Sequence, residues 1–175
     1  MPQLQEMYVV LKYGFIMHVT KILDCLYVGS CPTSQTDVQE LKELGITAVL
    51  NLQTDEDIAW RNIDRDGVSA AYRAYRLREI RYPIRDFDYE DLRRRLPEAV
   101  RLLHNLVKEG HRVYVHCTAG MNRSPTVIIA YLHWAMNWDF PEAVQHVTRN
   151  HPCDPFLEAI SEQSPPEWDE DLTGS

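Results

Sequence analysis

One stretch of nine residues, from His116 to Ser124, constrains the fold of this chain more than any other. It reads His-Cys-Thr-Ala-Gly-Met-Asn-Arg-Ser, with five residues between Cys117 and Arg123. The apolar run 113–115 before it predicts a buried strand, and the apolar segment 125–134 after it predicts a helix. A strand, a tight loop and a helix N-terminus point several backbone N–H groups at one spot, which makes a cradle for an anion.

The side chains of this loop suit phosphate chemistry. A positive field at the base of the cradle favours the thiolate of Cys117, which is a strong nucleophile. The planar guanidinium of Arg123 holds two phosphate oxygens at once, and Ser124 is placed to donate to the sulfur. The alternative, an inert buried cysteine beside a surface arginine, explains neither the glycine nor the hydroxyl. The residues predicted to contact the substrate through the loop are Thr118, Ala119, Gly120, Met121 and Asn122.

This pattern resembles the signature of the cysteine-dependent dual-specificity phosphatases, which form a phosphocysteine intermediate. The resemblance implies a proton donor, an aspartate on a loop upstream of the cysteine. Asp86 in the segment Ile84-Arg-Asp-Phe-Asp is predicted to fill that role, with Asp88 as the alternative. Such a residue acts as general acid in the first step and as general base in the second.

Composition restricts the other possibilities. The 175 residues carry a formal net charge of −8, which opposes nucleic acid as a partner. No run of 18 apolar residues is present, so no membrane span is predicted. The four cysteines form no CxxC pair and no metal-ligand spacing, and a free thiolate predicts a reducing, intracellular compartment, cytoplasm or plastid. No metal or organic cofactor is expected, because thiolate and arginine supply the chemistry.

Hydrophobic periodicity predicts an α/β fold with a central mixed sheet flanked by helices, which is the fold that the resemblance also implies. Residues 55–75 are irregular, with a helical tendency over 72–77, and Arg93–Arg95 are predicted to form a solvated helix face. The predicted strands are 25–28, 46–52, 80–84 and 113–115, and the predicted helices are 36–44, capped by Ser34 or Thr36, 97–109, 125–134, 141–150 and 155–161. The predicted parts are an N-terminal extension (1–17), a phosphatase domain (18–163) and an acidic, disordered tail (164–175).

A narrower resemblance covers residues 18–160. The segments Tyr27–Pro32, Glu43–Val49 and Leu52–Asp55 are similar to those of the glucan phosphatases, the family of laforin and the plant starch-excess enzymes. Arg85–Asp88 is similar to the plant members. The resemblance implies an enzyme that removes phosphate monoesters from a starch- or glycogen-like glucan.

The chain departs from that family in three places. Asn122 replaces a glycine of the loop, and asparagine tolerates a positive φ better than most residues. Asn51 stands where some plant members carry a cysteine that bridges to the catalytic one, so that disulfide is not expected. No carbohydrate-binding module is expected beside the domain, and in this the chain resembles the plant member that binds glucan with its catalytic domain alone.

Glucan binding needs aromatic or other apolar side chains at the rim of the site, because sugar faces are C–H surfaces that stack on rings. Phe87 is adjacent to Asp86 in the sequence, and Met121 lies in the anion loop itself. Trp60, Tyr72 and Tyr75 are either further platform residues or core residues.

Two alternatives remain open. A protein phosphatase of dual specificity is favoured by the run Asn122-Arg123-Ser124 and opposed by the laforin-like flanks. A non-catalytic scaffold that binds a glucan or a partner is opposed by the presence of Cys117, Arg123 and Asp86 together.

Overall fold

The computed structural model describes residues 16–168, which form five strands and seven helices. The strands are β1 Val19–Leu23, β2 Leu26–Gly29, β3 Ala48–Asn51, β4 Arg78–Arg81 and β5 Val113–His116. The helices are α1 Gln35–Glu43, α2 Asp55–Trp60, α3 Arg65–Ala74, α4 Tyr89–Lys108, α5 Arg123–Trp134, α6 Phe140–Asn150 and α7 Leu157–Ser161. The predicted N-terminal extension lies outside the described residues except for residues 16 and 17.

The strand order explains where a site can form. The sheet runs β1-β2-β5-β3-β4, with β1 antiparallel to β2 and the other neighbours parallel. The carboxyl ends of β5, β3 and β4 therefore meet at one edge, and the loops that follow them come together there. The predicted mixed α/β sheet is confirmed.

Two hydrophobic cores cover the two faces of the sheet. Alternate residues of β3 point to opposite faces, so Leu50 packs in one core and Val49 in the other. The larger core lies under α4 and α5, and the smaller one lies under α1 and α3. The sheet is thus held between helices on both sides, which fixes the loops at its edge.

Local capping chemistry sets several helix starts. Ser34, one of the two predicted caps, accepts from the N–H of Asp37, whose carboxylate accepts in return from the N–H of Ser34. Helix α4 begins at Tyr89 rather than at the predicted Pro97, because the Asp88 side chain caps it. Pro97 therefore lies inside α4, where a proline removes one backbone hydrogen bond. The buried apolar face of α4 keeps the helix continuous through Pro97.

Several predicted elements need correction. Residues 55–75 contain two helices, α2 and α3, so the expected helix over 72–77 was wrong: α3 ends at Ala74. Strand β1 was not predicted, because it is a half-buried edge strand without clear alternation. The first residues of the predicted tail are packed on the domain, since the ring centroid of Trp168 lies 4.6 Å from that of His104. Residues 169–175 of the predicted tail lie outside the described residues.

No helix within residues 16–168 combines the length and the apolar character needed to cross a bilayer.

The first prediction concerns two buried tyrosines of the smaller core. The hydroxyl of Tyr114 donates to the carbonyl of Ser30 at 2.5 Å, whereas that of Tyr72 has no hydrogen-bond partner among the described residues. Replacing Tyr114 by Phe leaves a buried carbonyl with less hydrogen bonding, so we expect a loss of about 1–3 kcal/mol in the free energy of unfolding. Tyr72→Phe removes only an unsatisfied hydroxyl and should be neutral or stabilising. Urea titration of both variants checks this, and equal losses would contradict it.

Candidate active site

The loop between β5 and α5 has the geometry of an anion site. Cys117 lies at its base, 2% exposed, with its Sγ 3.3 Å from the Oγ of Ser124. The residues after Cys117 lead directly into the first turn of α5, where backbone N–H groups have no partner within the helix. The helix dipole adds positive potential at the same end. A nucleophilic sulfur and a set of anion-binding N–H groups therefore share one small volume.

Gly120 makes the turn of this loop possible. Its φ of +74° is in the left-handed region, and a Cβ placed there would lie 2.6 Å from the carbonyl carbon of Gly29. Its carbonyl oxygen lies 2.6 Å from Nε2 of His151, which fixes the outer side of the turn. No other residue type fits both the angle and the close approach.

Arg123 is almost completely buried, and most of its guanidinium is engaged. Its Nη1 donates to Oδ2 of Asp57 at 2.7 Å and to the carbonyl of Ile84 at 2.8 Å. Its Nη2 lies 3.2 Å from Oδ2 of Asp86 and 3.4 Å from Oγ1 of Thr118. Burial lowers the pKa of Arg123, but the nearby anionic groups outweigh it and raise the pKa. The Nε atom is buried and has no hydrogen-bond partner among the described residues.

The structure distinguishes between the two aspartates predicted as proton donor. Asp86 pairs with Arg123, and its Oδ1 accepts from the N–H of Phe87 at 3.1 Å. Asp88 caps α4 instead, by accepting from the N–H of Asp91 at 2.9 Å. Of these two candidates, Asp86 is the one that contacts the buried arginine, whereas the Asp88 carboxylate is used to start a helix.

Phe87, between the two aspartates, has an unusual conformation. Its φ is +56°, rare for a bulky residue, and its side chain is 91% exposed. Such strain persists only where the surroundings hold it, and it is concentrated at functional sites. The turn holds an aromatic ring in solvent directly beside Asp86.

Asp91 anchors this acid loop, the segment 84–88, to the body of the protein. Its carboxylate, 3% exposed, accepts from the N–H of Arg85 at 2.9 Å and from the side chains of Arg94 and Arg95. Burial raises the pKa of Asp91, but these donors outweigh burial and lower the pKa to about 2. The arginines predicted as a solvated face thus include two that stabilise the acid loop, while Arg93 pairs with the exposed Glu90.

A buried polar network supports the anion loop from below, and sequence reasoning did not find it. The amide of Gln53 donates to Oγ1 of Thr118 at 3.1 Å, and Gln53 N–H donates to Oδ1 of Asn51. The Asn51 amide then donates to Glu79 on β4 at 3.0 Å. The Asn51 side chain, at the position where the resemblance implied a bridging cysteine in some plant members, is thus used here for hydrogen bonding, and all four cysteines are free.

His116, just before the cysteine, is a structural residue of the loop. It is 1% exposed, and its Nδ1 lies 2.9 Å from the carbonyl oxygen of Cys117. Burial lowers the pKa of His116 to about 4, so the ring is neutral at pH 7. Within residues 16–168, no group of three or more His, Cys, Asp or Glu residues is arranged to hold a metal ion.

Comparison with known proteins agrees with this geometry. The family model for the catalytic domain of dual specificity phosphatases matches residues 26–159. The chain belongs to this family. Solved phosphatases share the fold: Tk-PTP in its active form superposes with a TM-score of 0.65 at 23% identity, over 82% of this chain and 91% of that one.

Three curated relatives are more similar in sequence. The chain is 42% identical over 145 residues to the chloroplastic phosphoglucan phosphatase LSF1 of Arabidopsis thaliana, covering 83% of this chain and 24% of that protein. It is 36% identical over 137 residues to the amyloplastic phosphoglucan phosphatase DSP4 of Castanea sativa, covering 77% and 36%. It is 35% identical over 148 residues to laforin of Mus musculus, covering 78% and 45%. The chain therefore spans less than half of each relative.

The aromatic residues of this phosphatase domain fall into two groups. Trp60 is 79% exposed and lies one helical turn after Asp57, on the same side of α2. Met121, in the anion loop, is 46% exposed. Tyr72 is buried in the smaller core, so its role as a platform residue was wrong. Tyr75 precedes β4, at the opposite edge of the sheet, and its hydroxyl donates to Gln39, so it does not belong to the rim either.

Asn122 does not adopt the positive φ that its replacement of a glycine suggested. Its φ is −124°, and its side-chain amide donates to the carbonyl of Asp154 at 2.8 Å. The N–H of Asp154 donates to the carbonyl of Met121 at 2.7 Å. Asparagine here ties the anion loop to the segment after α6, a bond that glycine lacks.

The second prediction follows from the depressed pKa of Asp91. A carboxylate whose folded-state pKa is about 2 rather than 3.8 stabilises the folded state by about 2 kcal/mol near neutral pH. That contribution is present above pH 4 and is lost as the pH falls through 2. We expect Asp91→Asn to destabilise strongly at pH 7 and much less at pH 2.5, measured by urea unfolding.

The neighbouring Glu90 provides the matched control for this test, because it is exposed and pairs with Arg93 at the surface. Glu90→Gln should change stability little at either pH. A cost of Asp91→Asn that stays the same at both pH values would contradict the role of the ionised carboxylate.

Proposed function

We propose that this chain is a phosphoglucan phosphatase that hydrolyses phosphate monoesters of a starch- or glycogen-like glucan through a phosphocysteine intermediate. The observation that carries the proposal is a pair of exposed aromatic rings, Phe87 and Trp60. Phe87 lies on the acid loop beside Asp86, and Trp60 lies on α2 with Asp57; both aspartates contact Arg123. Two relatives whose names identify them as phosphoglucan phosphatases support the substrate class.

In the first step, the Cys117 thiolate attacks phosphorus, and the bond between phosphorus and the sugar oxygen breaks. Asp86 gives its proton to that leaving oxygen, so that the sugar departs as a neutral alcohol. The Nε and Nη2 edge of Arg123 and the N–H groups of the anion loop hold the other phosphate oxygens, where charge is greatest in the transition state. The phosphate takes the place of Asp86 on Nη2.

In the second step, water attacks the phosphocysteine and Asp86 accepts its proton. The bond between sulfur and phosphorus breaks, and inorganic phosphate leaves. Because the sulfur departs as a thiolate, a donor beside it lowers the cost of that charge. Ser124, whose Oγ is 3.3 Å from the sulfur, is the group placed to donate.

The rim of the site suits a polymer of sugars. Phe87, Trp60 and Met121 are all exposed next to residues of the anion site, and they offer apolar surface for the C–H faces of glucose units. The two relatives named as chloroplastic and amyloplastic support a plastid, of the two compartments that the sequence predicts.

The third prediction tests this rim. Phosphate release is measured from solubilised phosphoglucan, from a phosphotyrosine peptide and from an aryl phosphate, with Cys117→Ser as the inactive control. We expect Phe87→Ala and Trp60→Ala each to lower kcat/KM on the glucan by about fivefold, because aromatic stacking is worth on the order of 1 kcal/mol. Activity on the aryl phosphate should be nearly unchanged, since that substrate does not reach the rim.

Tyr75→Ala removes an aromatic ring at the opposite edge of the sheet and should leave both activities unchanged. Equal losses on the glucan and on the aryl phosphate would rule out a platform. Activity confined to the peptide and the aryl phosphate would point to a phosphatase of proteins instead.

The fourth prediction separates the two aspartates. Asp86→Asn removes the proton donor and should lower kcat by about a hundredfold or more on an alkyl phosphate, whose leaving group needs a proton. The loss should be smaller on an aryl phosphate with a good leaving group. Asp88→Asn keeps a helix cap, because asparagine caps as well as aspartate, and should retain most activity. The reverse ranking in steady-state kinetics would assign the acid to Asp88.

A further inference from the structure

We infer that Asp57 is a positioning residue, which orients the guanidinium of Arg123 so that its Nε and Nη2 edge faces the phosphate. The inference rests on the proposed phosphate chemistry of the loop, but it does not depend on the identity of the substrate. Asp57 lies on α2, in a region that the sequence left unassigned, and it reaches Arg123 across 66 positions of the chain.

The contacts of Nη1 carry the inference. This nitrogen has two hydrogens, and they donate to Oδ2 of Asp57 at 2.7 Å and to the carbonyl of Ile84 at 2.8 Å. Nη1 is therefore fully engaged on the protein side. The edge that remains consists of Nε, buried without a hydrogen-bond partner among the described residues, and Nη2, which has only longer contacts. That edge is the fork that binds two oxygens of a phosphate.

Asp57 is itself held rigidly. The same Oδ2 that accepts from Arg123 also accepts from the N–H of Thr54 at 2.9 Å, and the N–H of Asp57 donates back to the Thr54 hydroxyl. This reciprocal pair is the capping box that starts α2. The carboxylate thus cannot follow the guanidinium if it turns, and Arg123 is fixed against a helix start.

A simple electrostatic argument gives the opposite expectation, which makes the inference testable by sign. A negative charge close to an anion site weakens anion binding, so its removal should strengthen binding if the charge were its only effect. If Asp57 positions Arg123, its removal should weaken binding instead. Asp57→Asn suits this test, because the amide oxygen can still accept from Thr54 while the charge on the bond to Arg123 is lost.

The fifth prediction uses tungstate as a phosphate mimic, titrated by calorimetry into the Cys117→Ser protein, so that no turnover or glucan is needed. We expect Asp57→Asn to raise the Kd for tungstate by about fivefold, because the charge-assisted hydrogen bond to Arg123 becomes a weaker neutral one. In an Arg123→Lys background the fork is absent but a charge remains. There the same substitution should change the Kd by less than about twofold, because in such a double-mutant cycle the effect of Asp57 depends on Arg123.

The capping box of α1 supplies the matched control. Asp37 makes the same reciprocal bonds with Ser34, but its carboxylate has no contact with Arg123 among the described residues. Asp37→Asn should leave the tungstate Kd unchanged. Asp57→Glu keeps the charge and should recover part of the affinity.

Three outcomes would overturn the inference: tighter tungstate binding by Asp57→Asn, an unchanged Kd, or an equal loss in both Arg123 backgrounds. Circular dichroism and urea unfolding establish that each variant is folded. If Asp57→Asn does not fold, Asp57→Glu takes its place in the tungstate titrations. The proposed function fails separately, if the wild-type protein releases no phosphate from the glucan while the tungstate cycle still shows coupling.

Discussion

The burial of one guanidinium group, that of Arg123, is the interaction on which the rest of the site depends. A buried cation costs on the order of several kcal/mol unless it is paired and hydrogen-bonded. Here the partners come from different parts of the chain: Asp57 on α2, Ile84 and Asp86 on the acid loop, and Thr118 in the anion loop. The charge is compensated only when all of these segments are in place, so the anion site and the sheet edge form together.

The same topology explains how a strained aromatic residue can be kept in solvent. The acid loop leaves the carboxyl end of β4, and Asp91 binds it from the first turn of α4 through the N–H of Arg85. Asp88 closes the other end by capping that helix. Because both ends are fixed, the loop can hold the exposed Phe87 at a positive φ without the support of a core.

The parts of the fold that could be predicted from the sequence are those determined by residues close together in the chain. The loop from Cys117 to Arg123, with an apolar strand before it and an apolar helix after it, has all its determinants within about twenty positions. Asp57 was missed although Thr54 and Asp57 have the spacing of a capping box, since polar and aromatic residues obscured the helix. Its contact with Arg123 belongs to the tertiary fold, and no local pattern encodes it.

Tertiary placement also decides between residues that look alike in sequence. Trp60 and Tyr72 both lie in the stretch predicted as irregular, but the first is 79% exposed on the helix that carries Asp57 and the second is 3% exposed in a core. Asn122 shows the same limit: in sequence it favoured a protein substrate, whereas in the structure its amide bonds to the carbonyl of Asp154. A residue used to fix the loop carries no information about what the loop binds. The substrate class is indicated instead by the exposed rim, where apolar side chains favour a sugar polymer.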